Sequence, residues 1–121
     1  MLKLLTDEHF SPAVAPAVKR ICRDLHVSSL HDWMGGHFLG ASDETVLSEA
    51  ASQGLTLVTF DVRTIPPLLQ KWAEQGIDHG GVIFVGRRSY LQNDIGGIAQ
   101  GLAEVYRRNG KLHWTNRYVF L

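Results

Sequence analysis

The sequence predicts a single α/β domain over residues 1–121, built on a mainly parallel sheet of four or five strands with helices on both faces. Two observations lead to this prediction. Segments of strand character alternate with helical segments along the whole chain, which is typical of a parallel sheet covered by helices. The segments "LTLVTF" and "GGVIFV" lack the apolar–polar alternation of half-exposed strands, as expected for strands that are buried on both faces.

The first third of the chain predicts a strand, a helix and a second strand. Residues 2–6 predict a short buried strand. Residues 11–25 predict a helix, with Ser11 as N-cap and Pro12 in the first helical position. Residues 27–30, "VSSL", predict the second strand. The core side of the helix is marked by apolar residues at helical spacing: Val14, Val18, Ile21 and Leu25.

The middle of the chain begins with a glycine-rich loop at 31–42, "HDWMGGHFLGAS". A helix follows over 42–54, with Ser42 as N-cap, two acids in the first turn and Gly54 as the stop. The apolar segment 55–61 then predicts a strand that ends on an aspartate.

The last part of the chain repeats the same alternation. The apolar spacing within 63–76 predicts an amphipathic helix, and 80–86 predicts a buried strand. A long helix over 91–110, with Leu91 on its core side, and a strand over 113–121 complete the predicted elements.

Composition excludes several classes of protein. The formal net charge is zero and the pI is near 7, so any polyanion must be held by a local patch of positive charge. Cys22 is the only cysteine, which excludes an internal disulfide and favours a cytoplasmic protein. The opening "MLKLLTDEHF" is too short and too acidic for a signal peptide, and no apolar run approaches the roughly 20 residues of a membrane span.

Acidic residues follow two of the predicted strands. Asp7 and Glu8 come directly after the first strand, and Asp61 ends the third. Since ligands bind in parallel sheets at the carboxyl ends of the strands, these acids are expected to meet there. Asp43 and Glu44, in the first turn of the second helix, are expected to approach the same crevice.

Such a crevice predicts a bound cation. Carboxylates that face each other repel unless a cation neutralises them or some of them take up protons. Ligands that are all oxygen suit Mg2+ or Mn2+, which can activate water and stabilise a phosphoryl transition state. Each acid also has a structural explanation, because acids are favourable in any first helical turn and Asp61 can cap the segment that follows it.

Two blocks of this sequence resemble those of small PIN-like domain proteins. "LLTDEHFSP" is similar to the motif L-L-D-E-N-x-S-P, and "GASDETVLSEAASQGLTLVTFD" is similar to the block that runs from G-x-S-D-E to L-V-T-x-D. The resemblance covers about the first 86 residues and ends with "GGVIFVG". It implies a three-layer α/β/α fold and a metal-dependent ribonuclease, with toxins of toxin–antitoxin pairs among the active members.

The resemblance also implies roles for particular residues. Asp7, Glu44 and Asp61 match the family's catalytic and metal-binding acids, and Glu8 and Asp43 match further positions that can contribute to the metal site. For a chain of this kind we expect a protein partner, either one of the antitoxin kind or a second copy of the chain.

Two departures from the family pattern favour an alternative. His9 stands where the family has Asn, and Arg63 stands where it often has a second acid. His9 is adjacent to the acids and can serve as a ligand or a proton carrier. A cation in place of a metal-binding acid favours a catalytically degenerate module that binds a protein partner. Arg63 also belongs to a predicted phosphate-binding set for RNA, together with Arg87 and Arg88.

Three other interpretations remain open from the sequence. A phosphoacceptor receiver domain also has acids after its first and third strands, but "GGVIFVG" lacks the Ser or Thr that it needs there. The large apolar residues Trp33, Met34 and Phe38 either pack under the core or form an interface. The loop residues His31, Asp32 and His37 match no standard zinc spacing.

Overall fold

The computed structural model describes residues 1–121 as an α/β fold with one five-stranded sheet and four α-helices. The strands are β1 (Lys3–Thr6), β2 (His26–Ser29), β3 (Thr56–Thr59), β4 (Val82–Phe84) and β5 (Tyr118–Phe120). The helices are α1 (Val14–Ile21), α2 (Asp43–Ser52), α3 (Ile65–Gln75) and α4 (Ile95–Asn109), with a short 3-10 helix at Trp33–Gly36. No helix is both long enough and apolar enough to cross a membrane.

All neighbouring strands are parallel, and their order is β2-β1-β3-β4-β5. The prediction of a mainly parallel sheet is therefore confirmed, with "LTLVTF" and "GGVIFV" as adjacent strands. Because β1 lies between β2 and β3, the chain reverses its direction across the sheet at this point. In sheets of this order a crevice opens between the carboxyl ends of β1 and β3.

The strands contribute side chains to two hydrophobic clusters, one on each face of the sheet. This explains why the strands are apolar throughout. Leu4 belongs to the cluster that includes residues of α1 and α4, whereas its neighbour Leu5 belongs to the cluster with α2 and α3. Both side chains are fully buried. Since successive strand residues point to opposite faces, both clusters draw on the same strands.

The predicted bounds of α1 and of the last strand were wrong. Helix α1 begins at Val14, because the Ser11 hydroxyl accepts the N–H of Ala13 in a preceding turn rather than capping the helix. It ends at Ile21, since Cys22 is extended, although Leu25 is still buried. The last strand is confined to Tyr118–Phe120.

Helix α4 begins four residues later than the predicted 91. The Asp94 side chain accepts the N–H of Gly97 at 2.9 Å and so caps the helix at Ile95. Leu91 lies outside the helix and is 70 % exposed, so its predicted place in the core was wrong.

The glycine-rich loop packs part of its apolar content under the core. Trp33 is buried and Phe38 stacks on it, with ring centroids 5.1 Å apart. The His31 Nε2 lies 2.9 Å from the carbonyl oxygen of Glu8, which ties the loop to the turn after β1. Met34 and Leu39 remain exposed.

Candidate functional site

Asp7 lies at the carboxyl end of β1, beside β3. Its backbone N–H donates to the carbonyl oxygen of Val58 at 3.0 Å, and its Oδ1 accepts the N–H of His9 at 2.9 Å. Burial raises the pKa of Asp7, and the charge of Asp43 adds to this effect. Hydrogen bonds from Thr59 and His9, and the charge of His9, oppose it without cancelling it. Asp7 is therefore an acid whose carboxylate lacks full compensation from the protein.

Asp61 follows β3 and is held by the segment that leads into α3. Its Oδ1 accepts the N–H groups of Arg63 and Thr64, each at 2.9 Å, and its Oδ2 accepts the hydroxyl of Thr64. Partial burial tends to raise the pKa of Asp61, but these hydrogen bonds and the charge of His9 outweigh it, so the pKa is lowered. Asp61 thus has the capping role considered above, and it carries negative charge at neutral pH.

The acid of α2 that reaches this site is Asp43. Its Oδ2 lies 3.1 Å from the hydroxyl oxygen of Thr64, which also contacts Oδ2 of Asp61. A hydroxyl carries one hydrogen, so Thr64 can donate to only one of the two carboxylates at a time. The other carboxylate needs a proton, water or a cation.

Glu44 and Glu8 make no side-chain hydrogen bond to these aspartates. Glu44 lines a shallow surface depression with Ser48 and Glu49 on another side of α2. Adjacent helical residues point about 100° apart, so only one of Asp43 and Glu44 can face the crevice. Glu8 contributes its backbone carbonyl to the contact with His31.

The aspartates have the donor chemistry of a site for a hard cation. Asp7, Asp43 and Asp61 offer carboxylate oxygens alone, which fits Mg2+ or Mn2+. As the side chains stand, no three His, Cys, Asp or Glu residues are grouped closely enough to surround a metal ion. Binding by all three would therefore require rotation of at least one side chain.

Positive charge gathers beside Asp61 in a cleft of about 500 Å3. Its lining includes Arg63, Arg87 and Arg88 together with His9 and Asp61. The only ion pairs in the protein join Arg107 and Arg108 to Glu104, so the three arginines of this cleft have no acidic partner. An anionic ligand such as a phosphate group would supply one.

Arg87 is oriented by neutral groups. Its guanidinium carbon lies 5.0 Å from the ring centroid of Phe60, and its Nη1 donates to Oε1 of Gln92 at 3.2 Å. The amide nitrogen of Gln92 donates in turn to the carbonyl oxygen of His9 at 2.7 Å. These contacts connect the cleft to the turn that carries Asp7.

Sequence reasoning missed Thr59, Thr64 and Gln92. A signal existed for Thr59, which lies two residues before Asp61 and so points to the same side of the chain end. The sequence also contained a signal that Asp43, rather than Glu44, lies on the inner side of α2. Asp43 has the i, i+3, i+4, i+7 spacing to the buried residues Val46, Leu47 and Ala50. The contribution of Gln92 depends on a tertiary contact with residue 9.

Comparison of the chain with protein-family models, with curated proteins and with solved structures gives no match.

Proposed function

We propose that the protein is a PIN-like three-layer α/β/α domain that cleaves RNA with the help of Mg2+ or Mn2+ in the cytoplasm. One observation carries the proposal: of three aspartates near the β1–β3 crevice, Asp61 also lines a cleft with three arginines that have no acidic partner. Metal-dependent phosphodiester cleavage uses both kinds of residue, since anionic oxygens bind the cation and guanidinium groups bind the phosphate.

We assign each residue of the site a role in the proposed reaction from its surroundings. Asp7, Asp43 and Asp61 would hold the cation, which supplies activated water and neutralises charge on the phosphate. Arg63, Arg87 and Arg88 bind and orient the backbone phosphates of RNA. His9, whose charge acts on both Asp7 and Asp61, is placed to carry a proton to or from the cleft.

The helix α2 offers a choice between Asp43 and Glu44. Family resemblance favours Glu44 as the third acid, whereas the contact through Thr64 favours Asp43. Both can be replaced by the amide of the same size. We expect Asp43→Asn to lose most Mn2+-dependent RNA cleavage and Glu44→Gln to retain it.

The experiment uses the purified chain, a mixed-sequence single-stranded RNA and Mn2+ or Mg2+ titrated from zero. Asp7→Asn serves as the inactive reference preparation, and chelator addition shows that cleavage depends on metal. Cleavage by the unsubstituted chain that does not exceed that of Asp7→Asn would overturn the enzymatic function. Loss in Glu44→Gln with retention in Asp43→Asn would restore the assignment made from the family motif.

The second candidate is a degenerate PIN-like module that binds a protein partner of the antitoxin kind. It is favoured by Arg63 in the cleft and by the hydrogen bonds that occupy both oxygens of Asp61. This candidate predicts no thermal stabilisation by Mn2+ and no cleavage. It also predicts that a natural partner raises the melting temperature, because binding to the folded state alone stabilises it.

A receiver-like phosphoacceptor is the third candidate, supported by strand order. The order β2-β1-β3-β4-β5 is the one that receiver domains share with flavodoxins. However, β4 is followed by Val85 and Gly86 rather than by a hydroxyl residue. Mass spectrometry after incubation with acetyl phosphate and Mg2+ tests this candidate, which requires a phosphoryl adduct that disappears in Asp61→Asn.

A further inference from the structure

The free edge of β5 carries an exposed aromatic surface. Tyr118 is 58 % exposed and Phe120 is 66 % exposed, although both lie in a β-strand. Phe120 stacks on the buried Phe84 with centroids 4.9 Å apart, and Tyr118 meets Phe120 edge to face at 6.2 Å. The rings of Tyr118 and Phe120 therefore form one exposed surface at the edge of the sheet, and the buried Phe84 lies beneath it.

No helix covers this surface. A groove of about 670 Å3 separates β5 from α3, with Leu69 and Ala73 on its helical side and Tyr118 and Phe120 on its strand side. On the other face of the sheet, α4 packs against α1. Since β5 is the last strand of the sheet and pairs only with β4, its outer edge is open to another strand.

The register with β4 determines which backbone groups are free. Val82 donates its N–H to the carbonyl of Arg117 at 3.0 Å, and Leu121 donates to the carbonyl of Phe84 at 2.7 Å. Odd-numbered residues of this strand therefore turn their polar groups toward β4. The N–H and C=O groups of Tyr118 and Phe120 point outward, away from the sheet.

This edge also lacks the protection usual for a free strand. Edge strands commonly carry lysine, proline or a bulge that prevents pairing with another chain. None of these occurs in Tyr118–Phe120. The opposite edge, β2, differs because it carries one histidine and two serines, and two of its four residues, Val27 and Ser29, are buried.

We propose that β5 pairs antiparallel with β5 of a second copy of the chain, about a two-fold axis through Val119. This register places Tyr118 of each copy opposite Phe120 of the other. All the outward N–H and C=O groups of these two residues are then satisfied, because directly opposed residues of this kind exchange both hydrogen bonds. The same pairing places aromatic side chains opposite each other on one face, which stabilises antiparallel strands. A second copy fits because this short segment is complementary to itself in both backbone and side chains.

Sedimentation over a range of concentrations tests the association. We expect the unsubstituted chain to form dimers, and Phe120→Glu to weaken dimerisation by about ten-fold or more, because two aromatic cross-strand pairs are lost. Because position 118 faces position 120 of the other copy, charged residues at these two positions test the register. Tyr118→Lys with Phe120→Glu should dimerise more strongly than Tyr118→Lys with Phe120→Lys, which places like charges opposite each other.

Cysteine cross-linking provides a readout that does not depend on affinity alone. Val119→Cys places two thiols on the two-fold axis, at a Cα separation of about 4.5 Å that allows a disulfide. Arg117→Cys keeps both aromatic residues, but its Cα atoms would lie about 14 Å apart, since four residues at ~3.4 Å each separate them along the strands. We expect mild oxidation to link Val119→Cys and not Arg117→Cys.

Three results would overturn the proposal. The first is a chain that stays monomeric at every concentration. The free edge of β5 would then be a binding site for a strand of a different protein. The second is a dimer that Phe120→Glu does not weaken. The third is equal cross-linking of Val119→Cys and Arg117→Cys. Far-UV circular dichroism of each variant shows that it has folded.

Discussion

The hydroxyl oxygen of Thr64 lies 3.1 Å from Oδ2 of Asp43, which joins the start of α3 to the first turn of α2. The same hydroxyl contacts Asp61, so the carboxylates of Asp43 and Asp61 compete for the single hydroxyl hydrogen of Thr64. This relationship selects Asp43 rather than Glu44 as the acid that faces the crevice. It also identifies Thr64 as a residue whose removal should alter both stability and titration.

We expect Thr64→Val to destabilise the protein by about 1 kcal/mol, the typical net contribution of a hydrogen bond. The pKa of Asp61 should also rise, since its hydroxyl donor is lost while the backbone N–H donors remain. Urea unfolding and NMR titration of the Asp61 carboxyl carbon measure the two effects. Thr115→Val, at an exposed position whose hydroxyl makes no hydrogen bond, is the control. An unchanged Asp61 titration would contradict the shared-proton arrangement.

Asp7→Asn should leave the metal-free protein as stable as the unsubstituted chain, or more stable, at neutral pH. Burial raises the pKa of Asp7, so its protonated form is favoured on folding, and this stabilisation is lost as pH rises through the folded-state pKa. The amide carries no charge and can still accept the N–H of His9. The advantage of the variant should disappear below about pH 4, near the unfolded pKa of aspartate.

Thermal melts with and without Mn2+ complete this comparison. We expect Mn2+ to stabilise the unsubstituted chain and Asp32→Asn, whose carboxylate is exposed in the loop, but not Asp7→Asn. A lower melting temperature for metal-free Asp7→Asn, together with no metal effect on the unsubstituted chain, would show that Asp7 is structural.

His79 should make the protein sensitive to mild acid. Its Nδ1 accepts the N–H of Gly81 at 3.0 Å, and burial lowers its pKa, with Asp78 partly opposing the shift. A lowered folded-state pKa means that stability is complete above the unfolded value of about 6.5 and falls as pH decreases from there toward the folded value.

The variant His79→Asn tests this effect, because its Oδ1 can replace Nδ1 as the acceptor without titrating. We expect the urea midpoint of the unsubstituted chain to fall between neutral and mildly acidic pH more steeply than that of His79→Asn. His113→Asn, at an exposed position, should behave like the unsubstituted chain. Parallel pH profiles for all three proteins would exclude His79 as the cause.

Arg87→Ala and Arg88→Ala should each weaken binding of single-stranded RNA. If each arginine contacts one phosphate, the slope of log K against log salt should decrease by about 0.7 per variant. Fluorescence anisotropy at several salt concentrations, without divalent cations, measures both quantities. Arg107→Ala is the matched control because that arginine pairs with Glu104 outside the cleft. An equal effect of Arg107→Ala would show that binding is not localised to the cleft.

Adjacent glycines of α4 should respond in opposite directions to alanine. A Cβ on Gly96 meets nothing within 4 Å, so Gly96→Ala should stabilise the protein by up to about 1 kcal/mol. A Cβ on Gly97 would collide with the carboxylate of Asp94. Gly97→Ala should therefore displace the N-cap and destabilise the protein by roughly 1 kcal/mol. Urea unfolding of both variants gives the comparison, and two shifts of the same sign would refute it.

The sequence by itself determined the elements of this protein and the positions of its acids along the chain. Apolar runs such as 82–84 are strands buried on both faces, and the spacing of Val46, Leu47 and Ala50 marks the inner side of α2. These signals are local, since they depend on residues a few positions apart. The same spacing would have shown that Asp43 shares that side.

Tertiary structure alone decided which elements became neighbours. The strand order paired β1, which leads into Asp7, with β3, which leads into Asp61, and it left β5 at an edge with Tyr118 and Phe120 exposed. The cleft that contains Arg63 and Arg87 joins the ends of β3 and β4 with the turn after β1. These contacts link residues that are far apart in the sequence. Their formation depends on how all the buried faces pack together, which no short stretch of the chain encodes.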